Sequence, residues 1–225
     1  MPWTLLIRLA GPMQSWGTRS RFDYRDTELA PSKSGVVGLL AAALGRKRNE
    51  DVRDLAALRM GVRADRPGVL LGDYHTASNV IRADESGFQE TALSERKYLS
   101  DAVFLVGLEA SDPDFLRRLD ERLSNPHWPL ALGRRAFPPS EPLNLTLPDG
   151  GAAVAPQRLE EAIVGFPALV DVGSNEASVR YYIECEDGEQ GWFDQPLDNF
   201  KSRSFGMRRV KVVSAAWGET WYSAD

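Results

Sequence analysis

Trp3-Thr4-Leu5-Leu6-Ile7-Arg8-Leu9-Ala10 runs into Gly11-Pro12 at the start of the chain. Trp3, Leu5, Ile7 and Leu9 alternate, so a strand here puts all four side chains on one face. Gly-Pro then breaks it, because proline offers no N–H to a ladder and glycine favours a turn. From Met13 to Ser32 the chain is polar, basic and aromatic, which reads as a long loop. Ser34-Gly35 opens a run in which Val36, Leu39, Leu40, Ala43 and Leu44 recur at helical spacing. Gly45 stands where a C-terminal cap belongs. Residues 7–44 thus form a strand, a basic aromatic loop and a lysine-opened helix, and this unit sets the frame for the rest.

A second short helix is expected over Val52–Leu58, then strands at Met60–Ala64 and Val69–Tyr74. Residues 75–98 are charged and poor in core formers, and Asp84-Glu85-Ser86-Gly87 is a turn signal. They read as a long projecting hairpin or a flexible arm. Ala102–Leu108 is an apolar, β-rich run typical of a buried strand. Asp112-Pro113 caps and starts a helix whose buried stripe is Phe115, Leu116, Leu119 and Leu123, and Asn125-Pro126 ends it. Leu130–Leu132 is expected as a further short strand.

The order over the first 135 residues is β-α-β-β-β-α-β. Removing one strand or hairpin leaves the βαββαβ pattern of a ferredoxin-like (RRM-like) α+β fold. The expected division is a ferredoxin-like domain over 1–140, with the arm at about 75–98, and a less regular β-rich part over 141–225 packed on it. In the second part Pro148–Pro156 reads as a connector, and Val179–Glu184 and Val210–Trp217 as strands.

A length of 225 residues with 43% hydrophobic side chains can bury a core and rules out wholesale disorder. The lone cysteine, Cys185, cannot form an internal disulfide. No signal-peptide pattern and no membrane-length apolar run is found, so a soluble, cytoplasmic chain is expected. The net charge of −5 argues weakly against nucleic acid, but the charge is sorted. Glu184-Cys185-Glu186-Asp187-Gly188-Glu189 is an acidic turn, whereas Lys201–Lys211 holds five basic residues and no acid. Binding depends on such local excess more than on the total.

The loop Gly11-Pro12-Met13-Gln14-Ser15-Trp16-Gly17 offers hydrogen-bonding groups and a ring. Trp16 either stacks an unpaired base, worth roughly 1–3 kcal/mol, or tucks beneath the loop as core. Arg19, Arg21 and Arg25 follow, partly offset by Asp23 and Asp26; they can grip phosphate or pair locally. Lys33-Ser34 at a helix start can hold one phosphate through free N–H groups and the helix dipole, the alternative being a plain serine cap. It is not a triphosphate loop, because Pro31 and Ser32 stand where that motif needs glycine. Arg96-Lys97-Tyr98 either binds RNA or is the solvated foot of the arm. Lys201-Ser202-Arg203-Ser204-Phe205-Gly206-Met207-Arg208-Arg209 interleaves charge, ring and glycine in a way that suits single-stranded RNA; the alternative is a solvated basic loop before the Val210 strand, and binding is favoured because three separate basic segments would otherwise need three unrelated explanations. With His75 and His127 as the two histidines and no Cys/His cluster, no zinc site is expected; Asp23 and Asp26 are better explained by the arginines beside them than by magnesium. No cofactor is expected.

These residues resemble a known family. Ile7–Gly17, Arg25-Asp26-Thr27, Pro31–Gly45, Arg96–Phe104 and Leu132-Gly133-Arg134-Arg135-Ala136-Phe137-Pro138-Pro139 are similar, in order and spacing, to the CasD subunits of type I-E CRISPR surveillance complexes, Cascade. The resemblance implies a non-catalytic RNA-binding subunit with a hairpin thumb, here 75–98. It implies that the subunit holds the 5′ handle of the CRISPR RNA and caps the backbone of subunits. The implied partners are that RNA, a backbone subunit and the large subunit, with target DNA touched only indirectly and no membrane. The expected contacts are Met13, Gln14, Ser15, Trp16, Arg19, Arg25, Lys33, Ser34, Arg96, Lys97, Tyr98, Arg134, Arg135, Arg203, Arg208 and Arg209. The alternative is a metal-independent endoribonuclease for repeat RNA, for which His75, Lys97 and Tyr98 are the available set.

Overall fold

The computed structural model describes residues 1–19, 23–82, 84–147, 150–151, 153–171 and 178–222; Arg21 lies outside them, as does part of the 148–156 connector. The elements run β1 (Trp3–Ala10), β2 (Met13–Gln14), β3 (Tyr24–Arg25), α1 (Lys33–Leu44), α2 (Arg53–Ala56), β4 (Arg59–Arg66), β5 (Val69–Ile81), β6 (Phe88–Ser100), β7 (Val103–Ala110), α3 (Pro113–Ser124), β8 (Val154–Ala155), α4 (Leu159–Gly165), β9 (Ser178–Glu184), β10 (Gln190–Pro196) and β11 (Phe205–Ala216). The fold is mixed α and β, with sheet predominating.

One seven-stranded sheet carries the order β10-β11-β9-β4-β7-β1-β8, with antiparallel neighbours on the pairs registered. Position 140 marks no break in it, since β9 bonds directly to β4. Alternation along β1 sends Leu5, Ile7 and Leu9 to one core, with α1 and α3. Leu6 points the other way, into a second core with Leu105, Leu159, Ile163 and Tyr181. The sequence reading gave β1 one apolar face. It lacked α4, the short helix that covers the opposite face.

Close approach of α4 explains two glycines. Gly61 and Gly107 are cross-strand partners. A Cβ at Gly107 would lie 2.7 Å from Leu159 Cδ1, and one at Gly61 would lie 2.7 Å from Ile163 Cδ1. Gly107→Val is therefore expected to overpack this layer and cost about 1–3 kcal/mol. Urea denaturation checks it; an unchanged midpoint would show that α4 can lift off freely. The same layer holds Arg63, fully buried beside Asp65 at 2.7 Å. Its Nη1 donates to the carbonyls of Ile163 and Phe166, both at 2.6 Å, at the end of α4. These carbonyls have no helical partner and carry the negative end of the helix dipole, so a guanidinium is at home there.

Helix α1 has the serine cap that was the plainer reading: Ser32 Oγ accepts from Gly35 N at 3.3 Å. It ends at Gly45, whose φ of 77° is the left-handed conformation that glycine adopts without strain. Helix α3 follows its sequence signals, with Asp112 as cap, Pro113 in the first turn and Leu116, Leu119 and Leu123 buried.

The arm is an antiparallel hairpin, paired from Val69↔Ser100 to Ile81↔Phe88. It is longer at its foot than the expected 75–98. Val69–Tyr74 is the first half of the arm and not a body strand, and Val69, Leu70 and Leu71 are exposed there. Leu130–Leu132 is not a strand: Leu132 is buried, and its backbone bonds to Ser15 N and Phe137 O. Strand β10 escaped the sequence reading because its mixed residues show no clean alternation; it forms by pairing with β11. Among the described residues no helix is long and apolar enough to cross a membrane.

Candidate nucleic-acid interface

The Gly11–Gly17 loop turns inward. Gln14 is fully buried; its Nε2 donates to the carbonyls of Ala102 at 2.8 Å and Leu9 at 3.1 Å. Its Oε1 accepts from Trp16 Nε1 at 3.1 Å. The Trp16 ring is 1% exposed and lies against Gly35, where a Cβ would meet its Cε3 at 2.7 Å. Ser15 is buried as well, and Met13 half-buried. Gly133, at φ 89°, lets the 130–138 segment approach so closely that a Cβ would be 1.7 Å from Ser15 O. Gln14, Ser15 and Trp16 are thus withdrawn from the expected contacts. The physical reason is that the tryptophan's apolar area and the glutamine's full set of bonds are both satisfied inside.

The helix start is also taken, by the protein itself. Lys33 N donates to Asp194 Oδ2 at 2.7 Å, and Lys33 Nζ is 2.8 Å from Glu184 Oε1. Arg208 clasps the same Asp194 through Nε at 2.7 Å and Nη2 at 2.9 Å. Burial pushes the Lys33 ammonium below its ordinary pKa, against the pull of Glu184. The anion at this helix N-terminus is therefore a carboxylate of β10. Lys33 and Arg208 are corrected from phosphate contacts to members of a buried ion cluster. Ser34 is half-buried beside them.

A positive surface does form at the foot of the hairpin. Arg25 of β3 is registered against Arg96 of β6, and Arg96 against Asp73 of β5. Arg134 reaches in from the 130–138 segment, its Nη2 donating to the carbonyls of Lys97 at 2.9 Å and Arg25 at 3.1 Å. Burial first, then the neighbouring Arg96 and Arg25 charges, hold Arg134 below its ordinary pKa. Three guanidiniums thus sit close enough to repel, with Asp26 and Asp73 the nearby acids. Three guanidiniums against two carboxylates leave a local excess of positive charge on a projecting element, and such an excess attracts phosphate. Tyr98 is on the same face of β6 as Arg96 and packs on Phe137 at 5.9 Å between ring centres. Lys97 projects from the other face, 2.5 Å from Glu95, which raises its pKa.

Alternation along the hairpin bears on the nuclease alternative. His75 pairs with Ser94, on the face that carries Arg96 and Tyr98. Lys97 pairs with Gly72 on the opposite face, so His75, Lys97 and Tyr98 do not converge. Arg135 is exposed and lines a different cavity, with Ser34 and Gly38 of α1. Arg203 and Arg209 are exposed but belong elsewhere: Arg209 is on β11, where its Nη1 donates to Gly188 O. Among the described residues no group of His, Cys, Asp and Glu could hold a metal ion.

The sequence reading named Arg19 but not the cleft it lines. Arg19 lines a cleft between the loop and β9–β11, together with Arg180, Tyr182, Trp192 and Phe193. These come from three separated segments, and no local pattern unites them.

Comparison with known proteins agrees with this architecture. The family described as CRISPR-associated protein (Cas_Cas5) matches residues 4–211. The chain is 38% identical to the "CRISPR system Cascade subunit CasD" of Escherichia coli (strain K12), covering 93% of this chain and 95% of that protein. Among solved structures, one described as "Crystal structure of Cas protein" is 48% identical, with a TM-score of 0.77 and 95% of both chains covered. Another, described as "CRISPR RNA-guided surveillance complex", is 33% identical, with a TM-score of 0.76, covering 95% of this chain and 90% of that one. The seven-stranded sheet, the hairpin and these matches together place the chain in the CRISPR-associated Cas5 protein family.

Proposed function

We propose that the chain is a non-catalytic RNA-binding subunit of a type I-E Cascade complex in the cytoplasm, holding the 5′ handle of the CRISPR RNA. The observation that carries this is the Arg25–Arg96–Arg134 cluster at the foot of an exposed hairpin. Guanidiniums bind phosphate bidentately, and an RNA backbone supplies phosphates in series. The strand order β8-β1-β7-β4, with α1 and α3 on one side, supports a ferredoxin-like core as the platform.

The hairpin also supports the assembly role, as a cap on the backbone of subunits beside the large subunit. Tyr74, Ile81 and Phe88 are 63–70% exposed, which a chain working alone has little reason to keep. In the complex these side chains meet the neighbouring backbone subunit, and target DNA is contacted only indirectly. The separation of Lys97 from His75 and Tyr98 favours binding over the endoribonuclease alternative.

The test is anisotropy of the purified chain with labelled repeat RNA in EDTA, across a potassium chloride series. The logarithm of the affinity is expected to fall linearly with the logarithm of salt, and the RNA is expected to stay intact. Absence of binding at low salt would sink the reading. Site-specific cleavage in EDTA would replace it with the nuclease.

A further inference from the structure

We propose that the cleft beneath the loop is a subsite for one unpaired nucleotide of the bound RNA, a reading that rests on the RNA-binding function above. The cleft has a volume of about 580 Å³, within the range of small-molecule sites. Its wall on one side is loop residues Thr18, Arg19, Glu28 and Leu29; its floor is the β9–β11 surface, including Arg180, Tyr182 and Ser214. The aromatic part is a built surface. Tyr182 and Trp192 pack with ring centres 5.8 Å apart, and the Arg208 guanidinium lies 5.2 Å from the Trp192 ring centre. Phe193 stands at the cleft, 59% exposed.

The polar groups match a nucleotide in kind. The side chains of Arg19 and Arg180 make no hydrogen bond or ion pair among the described residues, so two cations are available for a phosphate. Thr18 Oγ1 donates to Glu28 Oε1 at 2.6 Å, which leaves Oε2 to accept from a base N–H. Gln190 Oε1 accepts from Trp192 Nε1 at 3.3 Å, which leaves its amide N–H groups to donate. A base edge needs both an acceptor and a donor beside a stacking ring. An acidic peptide would gain nothing from Glu28. The loop links this cleft to the hairpin foot: Arg19 lines the cleft, and Arg25 lies with Arg96 and Arg134. An RNA that reaches both surfaces can set its phosphates on the arginines of the foot and one splayed nucleotide in the cleft.

The test is ultraviolet cross-linking of the full chain to repeat RNA, with adducts mapped by peptide mass spectrometry. Nucleotide adducts are expected on Trp192 or Phe193, in addition to any at Tyr24 or Tyr98. Phe193→Ser combined with Arg180→Ser, two exposed positions, is expected to weaken RNA binding about tenfold with an unchanged thermal midpoint. Binding with adducts at the hairpin foot alone, and no effect of the double variant, would overturn the subsite and leave the RNA-binding function standing. Failure of the unsubstituted chain to bind repeat RNA would overturn both.

Discussion

Asp194→Ala is expected to lower the unfolding free energy by about 3–5 kcal/mol, the range for removing one partner of a buried ion pair. Asp194 is fully buried and answers three donors: Arg208 Nε at 2.7 Å, Arg208 Nη2 at 2.9 Å and the backbone N of Lys33 at 2.7 Å. Alanine leaves the Arg208 guanidinium inside with one carboxylate, Glu184, 3.9 Å away and already bonded to Lys33. It also leaves a helix N–H without its acceptor, and an unmet buried donor costs more than a hydrogen bond contributes. Asp194→Asn keeps the shape and one acceptor oxygen, so its loss should be smaller. Urea denaturation followed by tryptophan fluorescence measures both. Equal stability of the alanine variant and the unsubstituted protein would show that the cluster is not what joins α1 to β10 and β11.

Arg25→Glu with Arg96→Glu is expected to weaken repeat RNA binding by about 100-fold or more at low salt. Each arginine accounts for roughly one phosphate, so the slope of log affinity against log salt should become shallower by about two. The fold should not notice. Arg25 is exposed, and the Arg96 side chain bonds only to Ser94 Oγ among the described residues. Surface changes of this kind stay within about 0.5 kcal/mol. Reversing Lys33 or Arg208 is the instructive contrast. The sequence reading expects both to carry RNA contacts, so that Lys33→Glu and Arg208→Glu weaken RNA affinity directly. Inside the Asp194–Glu184 cluster they would instead set like charges together in the interior, and any loss of RNA affinity would follow loss of stability. A shift of the denaturation midpoint in these two, and none in the Arg25/Arg96 pair, separates the surface from the interior. An unchanged affinity in the Arg25/Arg96 variant would remove the hairpin foot as the anchor.

Elements with strong local signals were legible. The β1 alternation, the Asp112-Pro113 start of α3, the Gly45 end of α1 and the Asp84–Gly87 turn of the arm each rest on a few adjacent residues. Helix α4 was not, because its seven residues are too few for a helical period to stand out. Strand β10 was not, because Gln-Gly-Trp-Phe-Asp-Gln-Pro owes its extended form to β11. Of the candidate site, Arg25, Arg96 and Arg134 were named from sequence, but as three separate segments; the register of β3 on β6 and the reach of Arg134 make them one surface.

The residues of 3–45 by themselves determined a strand, a turn and a capped helix, since alternation, breakers and caps act between near neighbours. The composition of the whole chain narrowed the chemistry as well, for its two histidines and one cysteine offer no Cys/His cluster of the kind that zinc sites use. Which polar residues face solvent was decided only by the tertiary structure. Trp16 and Gln14 look like a ligand-facing pair in a loop; they became core when Gly35, Leu9 and Ala102 supplied their contacts. Lys33 looks like a phosphate anchor; it became an internal ion pair because β9 and β10, more than 150 residues away, bring Glu184 and Asp194 to the helix start. A buried charge must find its counter-charge, and that partner is fixed by packing at long range and not by spacing in the chain.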